Sequence, residues 1–174
     1  RPLLGGRSKD IYPEGHPLRY MATSNAPLRA GKGTLYEGGV RVPAIISYPS
    51  RLPRGVVRDQ IVTAMDWYPT VLALCGVTPN ANAPKLDGHN LLPVIQSQDA
   101  TSGYGGVLHF AWRGKWAVRD GEWKLRGTDG KKKAALHRLT GDDPEKVDLA
   151  KERPDIVKRL QVLHDDWARS VKPR

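Results

Sequence analysis

The sequence has 174 residues, of which 39% are hydrophobic, which suits one ordinary globular domain with a core and excludes a disordered tail. Lys and Arg outnumber Asp and Glu by 28 to 18, and the resulting charge of +10 favours anionic partners such as nucleic acid, anionic glycans and phosphate or sulfate esters. The single cysteine excludes an intramolecular disulfide, and no apolar run reaches the roughly 20 residues that a membrane span needs.

The first half of the chain predicts a loop, a strand and a helix. Residues 1–34 are rich in Gly, Pro, Ser and Arg, which is typical of irregular loop. The run "VRVPAIISYP" from Val40 predicts a buried strand over Val40–Ile46. Asp66 is expected to cap a helix that ends at Gly76. Its predicted buried face consists of Val71, Leu72, Leu74 and Cys75, so that Cys75 is a structural thiol.

The second half predicts a small antiparallel sheet followed by a helix. The segments "GGVLHFAW", "KWAVRDGEWKLRG" and "ALHRLT" are strand-like, and Asp120-Gly121 is typical of a hairpin turn. The segment "LLPVIQSQ" predicts a brief helical turn or a loop. A helix over about residues 153–171 should begin near Pro154. Its apolar stripe consists of Ile156, Leu160, Leu163, Trp167 and Val171.

The stretch "LRAGKGTLYEGGVRVP" places Lys32 between two glycines. It is not a Walker A loop, because Ala26 and Gly33 stand where that motif requires Gly and Ser or Thr. Glycines let the backbone approach a ligand closely, and a lysine is a compact cation suited to the oxygens of a tetrahedral anion. A flexible turn with a solvated lysine is the alternative interpretation of the spacing.

The segment "NAPLRAGKGTLYEGGVRVPAIISYPSRLPRG" resembles the part of type I sulfatases that follows their "DNG" metal-binding turn. Further segments resemble successive landmarks of the same family's carboxy-terminal portion: "VTAMDWYPTVLALCGV", "LDGHNLLPVI", "WAVRDGEWKLR" and the ending from "LHRLTGDDPEKV" to "LHDDW". The resemblance covers nearly the whole chain from Ser24 onward.

The resemblance implies a fold class of α/β, or α+β for a fragment, related to alkaline phosphatase. Residues 1–76 would complete the large α/β domain of a sulfatase. Residues 77–174 would form its carboxy-terminal subdomain, with a small antiparallel sheet and the final helix. The expectation is that the chain is the carboxy-terminal portion of such an enzyme and that an amino-terminal portion is missing.

The resemblance also implies a function for the parent protein, which is hydrolysis of aryl or saccharide sulfate esters by a hydrated formylglycine with calcium. Lys32 would inherit the catalytic contact with the sulfate group. His89 and His109 are candidate substrate-binding residues, with hydrogen-bonded packing as the alternative. Glu37 and Arg41 are expected to support the lysine loop. The parent would be periplasmic or secreted, and a membrane or nucleic-acid partner is not expected.

The chain departs from the family at the nucleophile and the metal. Cys75 lacks the C/S-x-P-S-R context of a formylglycine precursor, and Ser47 has that spelling but follows the lysine segment and starts no helix. The pairs Asp142-Asp143 and Asp165-Asp166 do not follow a buried strand, so no metal ligand is predicted. Calcium is therefore expected in the parent and not in this fragment, which should be inactive alone.

Two alternatives remain at this stage. The chain could be a non-catalytic basic module that binds sulfated glycan or another polyanion through its net charge and the Trp-rich hairpin, in which Arg113 and Lys115 lie. It could also be a structural remnant whose Val40–Ile46 strand and 67–75 helix expose apolar faces and aggregate.

Overall fold

The computed structural model describes residues 25–80, 82–131, 133–140 and 145–171. The chain divides into two compact units, one formed by Arg1–Pro43 with Leu108–Arg174 and the other by Ala44–Val107. The predicted loop over residues 1–34 lies mainly outside the described residues. The domain boundary expected after residue 76 stays a prediction.

A four-stranded sheet is the centre of the first unit. The strands are β1 (Val107–Trp112), β2 (Lys115–Asp120), β3 (Trp123–Thr128) and β4 (Ala135–Arg138), and they lie side by side in chain order. The β2–β3 and β3–β4 pairs are antiparallel. This arrangement confirms the small antiparallel sheet that the sequence predicts.

Tight turns connect the first three strands. Between β1 and β2, Arg113 and Gly114 both have positive φ, at 49° and 71°, which is what a two-residue type I′ hairpin turn requires. Between β2 and β3, Asp120 pairs with Trp123, so the turn residues are Gly121, with φ of 56°, and Glu122. The predicted hairpin is present with its turn one residue further along the chain.

Side-chain alternation gives the sheet two different faces. On one, which we call the helix face, Val118 lies opposite Leu125, and Leu125 lies opposite Leu136, all fully buried. On the other, which we call the ionic face, Arg119 lies opposite Lys124. His137 lies opposite Lys124 on its other side, so the ionic face is polar across three strands.

The carboxy-terminal helix covers the helix face. It spans Pro154–Val171 and packs against β2 and β3, as the apolar stripe predicts. Ile156, Leu160 and His164 are its buried residues. Val171 is 55% exposed, so its predicted burial is wrong. The buried stripe runs instead through His164, and Val171 lies one turn beyond Trp167 at the end of the helix.

The other regular elements of the described chain are short helices joined by irregular backbone. In chain order they are α1 (Glu37–Val40) in the first unit and, in the second, a 3₁₀ turn (Ala64–Asp66) leading into α2 (Trp67–Leu74), and α3 (Leu92–Gln96). The carboxy-terminal helix is α4. The segment "LLPVIQSQ", for which a helical turn and a loop were both open, forms α3, and α2 lies where the sequence predicts a helix.

The buried side of α2 differs from the prediction. Thr70 is its buried residue, whereas Val71 is 49% exposed and Cys75 is exposed. The cause is hydrogen bonding by a polar side chain. Thr70 Oγ1 donates to the Asp66 carbonyl at 2.6 Å and accepts the Leu91 N–H at 2.8 Å, so hydrogen bonding sets the inward side of the helix. The expectation of a buried thiol at Cys75 is wrong for the same reason.

The predicted strand over Val40–Ile46 is also wrong. Val40 ends α1 and the following residues have no regular structure, with Val42 and Ile45 76% and 91% exposed. A strand exists only when a neighbour pairs with its backbone, and no described segment pairs with this one. The β-branched composition alone therefore does not produce a strand here.

Candidate functional site

Lys32 lies exposed in a turn that folds back on itself, residues Leu28–Val40, which we call the lysine turn. Gly31 O accepts hydrogen bonds from Thr34 N at 3.2 Å and from Thr34 Oγ1 at 2.7 Å, which closes the backbone around Lys32. Gly33 has φ of 86°, a conformation that favours glycine. The ammonium is thus presented to solvent from a hydrogen-bonded turn.

Gly38 and Gly39 close the base of the lysine turn. Gly38 N donates to Arg29 O at 3.0 Å, and Asn25 Nδ2 donates to Gly38 O at 2.8 Å. A Cβ at Gly38 would lie 2.4 Å from Arg29 O, and one at Gly39 would lie 2.2 Å from Thr34 O. The "GG" pair is therefore required because backbone packs directly on backbone.

A buried ion cluster lies between the base of the lysine turn and the ionic face. Lys124 of β3 is fully buried, and its Nζ lies 2.7 Å from Glu37 Oε1 and 3.1 Å from Glu145 Oε1. The Glu37 N–H donates to the second oxygen of Glu145 at 2.5 Å. Three separate segments, α1, β3 and the residues around Glu145, therefore meet at one ammonium.

Two arginines extend the cluster outward. Arg119 NH1 lies 3.7 Å from Glu37 Oε2, which gives two carboxylates and two cations. Arg29 donates to the Glu145 carbonyl oxygen. The expectation that Glu37 supports the lysine loop is confirmed by these contacts, and Arg41 is exposed beyond the end of α1.

Tyr36 packs between the lysine turn and the same face of the sheet. The guanidinium carbon of Arg126 lies 3.4 Å from its ring centroid and that of Arg29 lies 4.2 Å away. The His137 ring is 6.2 Å from it, and His137 Nδ1 lies 2.8 Å from the Val147 carbonyl oxygen. Burial lowers the pKa of His137, and the Val147 hydrogen bond opposes that effect. The aromatic and cationic side chains around Tyr36 thus complete the contact between the lysine turn and the ionic face.

The β1–β2 hairpin borders the lysine turn. A Cβ at Gly33 would lie 3.6 Å from Trp112 Cη2, which places this indole beside the residue that follows Lys32. Trp112 is 42% exposed, and the Arg113 guanidinium carbon lies 4.7 Å from its ring centroid. A partly exposed aromatic ring and an arginine therefore lie next to the lysine turn.

His109 lies on the helix face, since it alternates with Phe110 and Trp112 along β1. Its ring stacks on Trp167 of α4 with a centroid distance of 5.0 Å and an interplanar angle of 4°. Burial lowers the pKa of His109, and the nearby His164 lowers it further. The structure does not group His109 with Lys32 on one face, and its predicted contact with substrate stays a prediction.

His89 belongs to the other unit, where it joins a network around Asp66. The fully buried Asp66 accepts from the His89 N–H at 2.8 Å, from Tyr104 OH at 2.5 Å and from the Thr63 N–H at 2.6 Å. Burial, then the Asp66 hydrogen bond, raise the pKa of Tyr104 to about 12. The His89 ring packs edge-on against Tyr104 at 4.7 Å, and its predicted substrate contact also stays a prediction.

The described residues offer no cluster of three or more His, Cys, Asp or Glu side chains that would hold a metal ion. Asp165 and Asp166 are exposed on α4, as expected of surface acids. Asp142 and Asp143 lie outside the described residues. The donor set in the described ranges therefore does not fit the calcium site that the resemblance implies for the parent.

Sequence reasoning missed Lys124 and Glu145. Lys124 alternates with the apolar Trp123 and Leu125, a pattern that normally places a lysine in solvent. Glu145 is the last residue of the segment "TGDDPE" and has a positive φ of 64°. No local pattern pairs these residues with Glu37, because the partners lie 87 and 108 positions away in sequence.

Residues 30–161 match the family described as "N-sulphoglucosamine sulphohydrolase, C-terminal". A sulfatase of Formosa agariphila is 36% identical over 100 residues, which cover 56% of this chain and 18% of that protein. An uncharacterized sulfatase of Schizosaccharomyces pombe is 32% identical over 82% of this chain and 27% of its own length. Human N-acetylgalactosamine-6-sulfatase is 43% identical over 41% of this chain and 14% of its own length.

This chain is also similar in fold to a solved structure. The structure entitled "Crystal structure of Ps i-CgsB" aligns with a TM-score of 0.69 and 28% identity, covering 84% of this chain and 33% of that one. The chain spans about a quarter or less of the curated relatives named above. None of the helices in the described part of the chain has the length and apolar character of a membrane span.

Proposed function

Because this chain belongs to the sulfatase family, as a carboxy-terminal portion, we propose that it forms part of an enzyme that hydrolyses sulfate esters. In this proposal Lys32 contacts the sulfate group. The observation that carries it is the presentation of Lys32, exposed at a hydrogen-bonded turn whose base is fixed by a buried ion cluster. The match to the family begins at residue 30 and so includes Lys32 and the rest of the turn after it.

The chemistry asked of Lys32 is electrostatic. A lysine ammonium is a compact point charge with three donors, and it suits the oxygens of a tetrahedral anion. Held in place before the reaction, it stabilises negative charge that develops on the ester as the S–O bond breaks. The hydrogen bonds from Thr34 to Gly31 O support this role because they restrict the backbone on both sides of the lysine.

We place the nucleophile and the calcium ion of the family's mechanism on a separate amino-terminal portion of the protein. The described residues hold no cluster of three metal-ligating side chains, and Ser47 lies in irregular backbone without a helix after it. Calcium, when bound, supplies further positive charge to the sulfate. In this proposal the described part of the chain contributes the sulfate contact of Lys32, and the amino-terminal portion supplies the nucleophile and the metal site.

The organic part of the substrate would contact the β1–β2 hairpin. Trp112 supplies a partly exposed ring beside Gly33, and Arg113 supplies a cation over that ring. An aromatic surface with adjacent cations suits an aryl sulfate or an anionic sulfated saccharide. The names of relatives, which include arylsulfatases and an N-acetylgalactosamine-6-sulfatase, cover both classes.

The test is Lys32→Ala in the full-length protein, assayed with 4-nitrophenyl sulfate. We expect turnover to fall by about 100- to 1000-fold, as for removal of one group that stabilises transition-state charge. Lys131→Ala is the matched control, since Lys131 is an exposed lysine of the same unit. Turnover that Lys32→Ala leaves unchanged would overturn the proposal.

A polyanion-binding module is the second candidate, favoured by the charge of +10 and the exposed Trp112–Arg113 hairpin tip. It predicts binding to a sulfated polysaccharide that weakens steeply with salt and is insensitive to Lys32→Ala. The same pair of variants therefore separates the two functions.

A further inference from the structure

We propose that Lys124 is a positioning residue for Lys32: by pairing with Glu37 and Glu145 it fixes the lysine turn against the ionic face of the sheet. The inference rests on the proposed contact between Lys32 and sulfate. It assigns a role to a buried lysine that sequence alternation places in solvent. It also explains why Lys124, Glu37 and Glu145 are buried together directly behind the lysine turn.

The first step is the geometry of the ammonium. Lys124 Nζ lies 2.7 Å from Glu37 Oε1 and 3.1 Å from Glu145 Oε1, and its side chain has no exposed area. Glu37 begins α1, whereas Lys124 lies on β3. The two contacts therefore tie the lysine turn and the Glu145 segment to one point on the sheet.

The second step is the connection from Glu37 to Lys32. Gly38, the residue after Glu37, donates to Arg29 O at 3.0 Å, and Gly39 packs against Thr34 O and Gly31 O. Backbone atoms on both sides of Lys32 are thus in direct contact with the first turn of α1. A shift of Glu37 would displace those atoms, because packed backbone has no room to absorb it.

The third step is energetic. A buried ion pair loses so much hydration that apolar residues of similar volume often stabilise a protein equally well or better. Leu125, the next residue, is fully buried on the opposite face of the same strand, so the strand does accommodate a buried apolar side chain. The charge of Lys124 is therefore poorly explained by stability, whereas its hydrogen bond to Glu37 is directional and suits the placement of a turn.

The experiment compares Lys124→Met with Leu125→Ala in the full-length protein. Both changes remove buried interactions of β3, but from opposite faces. The first readout is kcat and KM with 4-nitrophenyl sulfate. The second is hydrogen exchange of the Thr34, Gly38 and Gly39 amides, which donate to Gly31 O, Arg29 O and Tyr36 O.

For Lys124→Met we expect kcat to fall at least about tenfold with a smaller change in KM, because Lys32 would act chiefly in the transition state. The three amides should exchange about tenfold faster relative to the β2–β3 amides. Leu125→Ala should leave kcat and this exchange ratio near wild type. If Lys124→Met does not fold, Glu145→Gln, which keeps the side-chain size, should give the same pattern.

Equal losses of kcat in Lys124→Met and Leu125→Ala, or unchanged exchange of the three amides in Lys124→Met, would overturn the inference. Its failure is distinguishable from failure of the proposed function. If Lys32→Ala keeps full turnover, the sulfate contact is wrong, while faster amide exchange in Lys124→Met still supports the placement of the turn by Lys124.

Discussion

On the helix face of the sheet, Val118, Leu125 and Leu136 are fully buried by apolar packing beneath α4, whereas on the ionic face Lys124, Glu37 and Glu145 hold the lysine turn. The helix face depends on area removed from water, which is non-directional. The ionic face depends on hydrogen bonds and ion pairs, which fix the positions of atoms. One small sheet therefore uses apolar packing on one face for stability and ionic contacts on the other face to position a turn.

The largest expected effect on stability comes from the helix face. Leu160 of α4 is fully buried, so Leu160→Ala should lower the free energy of unfolding by about 2–5 kcal/mol, from lost burial and the cavity left behind. Urea denaturation of the full-length protein measures this loss. Under conditions where the variant is folded, turnover of 4-nitrophenyl sulfate should match wild type. A fall in turnover of the folded variant would show that the two faces do not act separately.

On the ionic face, Gly39→Ala in the lysine turn should lose less stability and more turnover than Leu160→Ala. In Gly39→Ala the added methyl would meet Thr34 O at 2.2 Å and Gly31 O at 2.7 Å, so the lysine turn must open, at about 1–3 kcal/mol. We expect turnover to fall nearly as far as in Lys32→Ala. Kinetics of the full-length protein measure it, alongside urea denaturation.

Gly121→Ala is the matched control for this glycine. It has φ of 56° but no atom within 4 Å of the added methyl, so it carries backbone strain alone, about 1–2 kcal/mol, at the β2–β3 turn. Its turnover should equal wild type. If Gly121→Ala lost turnover as Gly39→Ala does, the effect would come from stability and not from the lysine turn.

The same two faces show how much of the molecule could be predicted from sequence. The strands, the hairpin and α4 follow from alternation, a Gly-containing turn and an apolar stripe, all of which are local patterns. The ionic face does not, because Lys124 looks like a solvated residue until Glu37 and Glu145 are brought to it. Ion pairs between residues that are far apart in sequence leave no periodic pattern from which they could be predicted.

The errors have the same physical origin. Val40–Ile46 has strand composition, but no described segment pairs with it, and Cys75 is exposed because Asp66 and Thr70 take the inward side of α2 through hydrogen bonds. Lys32 can be recognised from sequence because a lysine between two glycines is conspicuous. The residues that hold its turn cannot be, since they lie up to 116 positions from the segment that they support.

The smallest expected effect is a pH dependence of stability that comes partly from the helix face. On the helix face His164 stacks on Trp116 with a centroid distance of 3.9 Å, and burial lowers its pKa against the opposing charges of Asp165 and Asp129. A histidine with a lowered native pKa stabilises the fold above its unfolded pKa of about 6.5, because the unfolded chain binds the proton first. That stability is lost as the pH falls from about 6.5 through the lowered value.

His164→Phe should therefore reduce the loss of stability on acidification while keeping an aromatic ring on Trp116. Urea denaturation of the full-length protein at a series of pH values from 7 downward measures the slope. Some slope should remain, since burial also lowers the pKa of His109 on the helix face and of His137 on the ionic face. A slope equal to wild type would mean that His164 does not titrate differently in the folded and unfolded chains, and the helix face would then be insensitive to pH at this position.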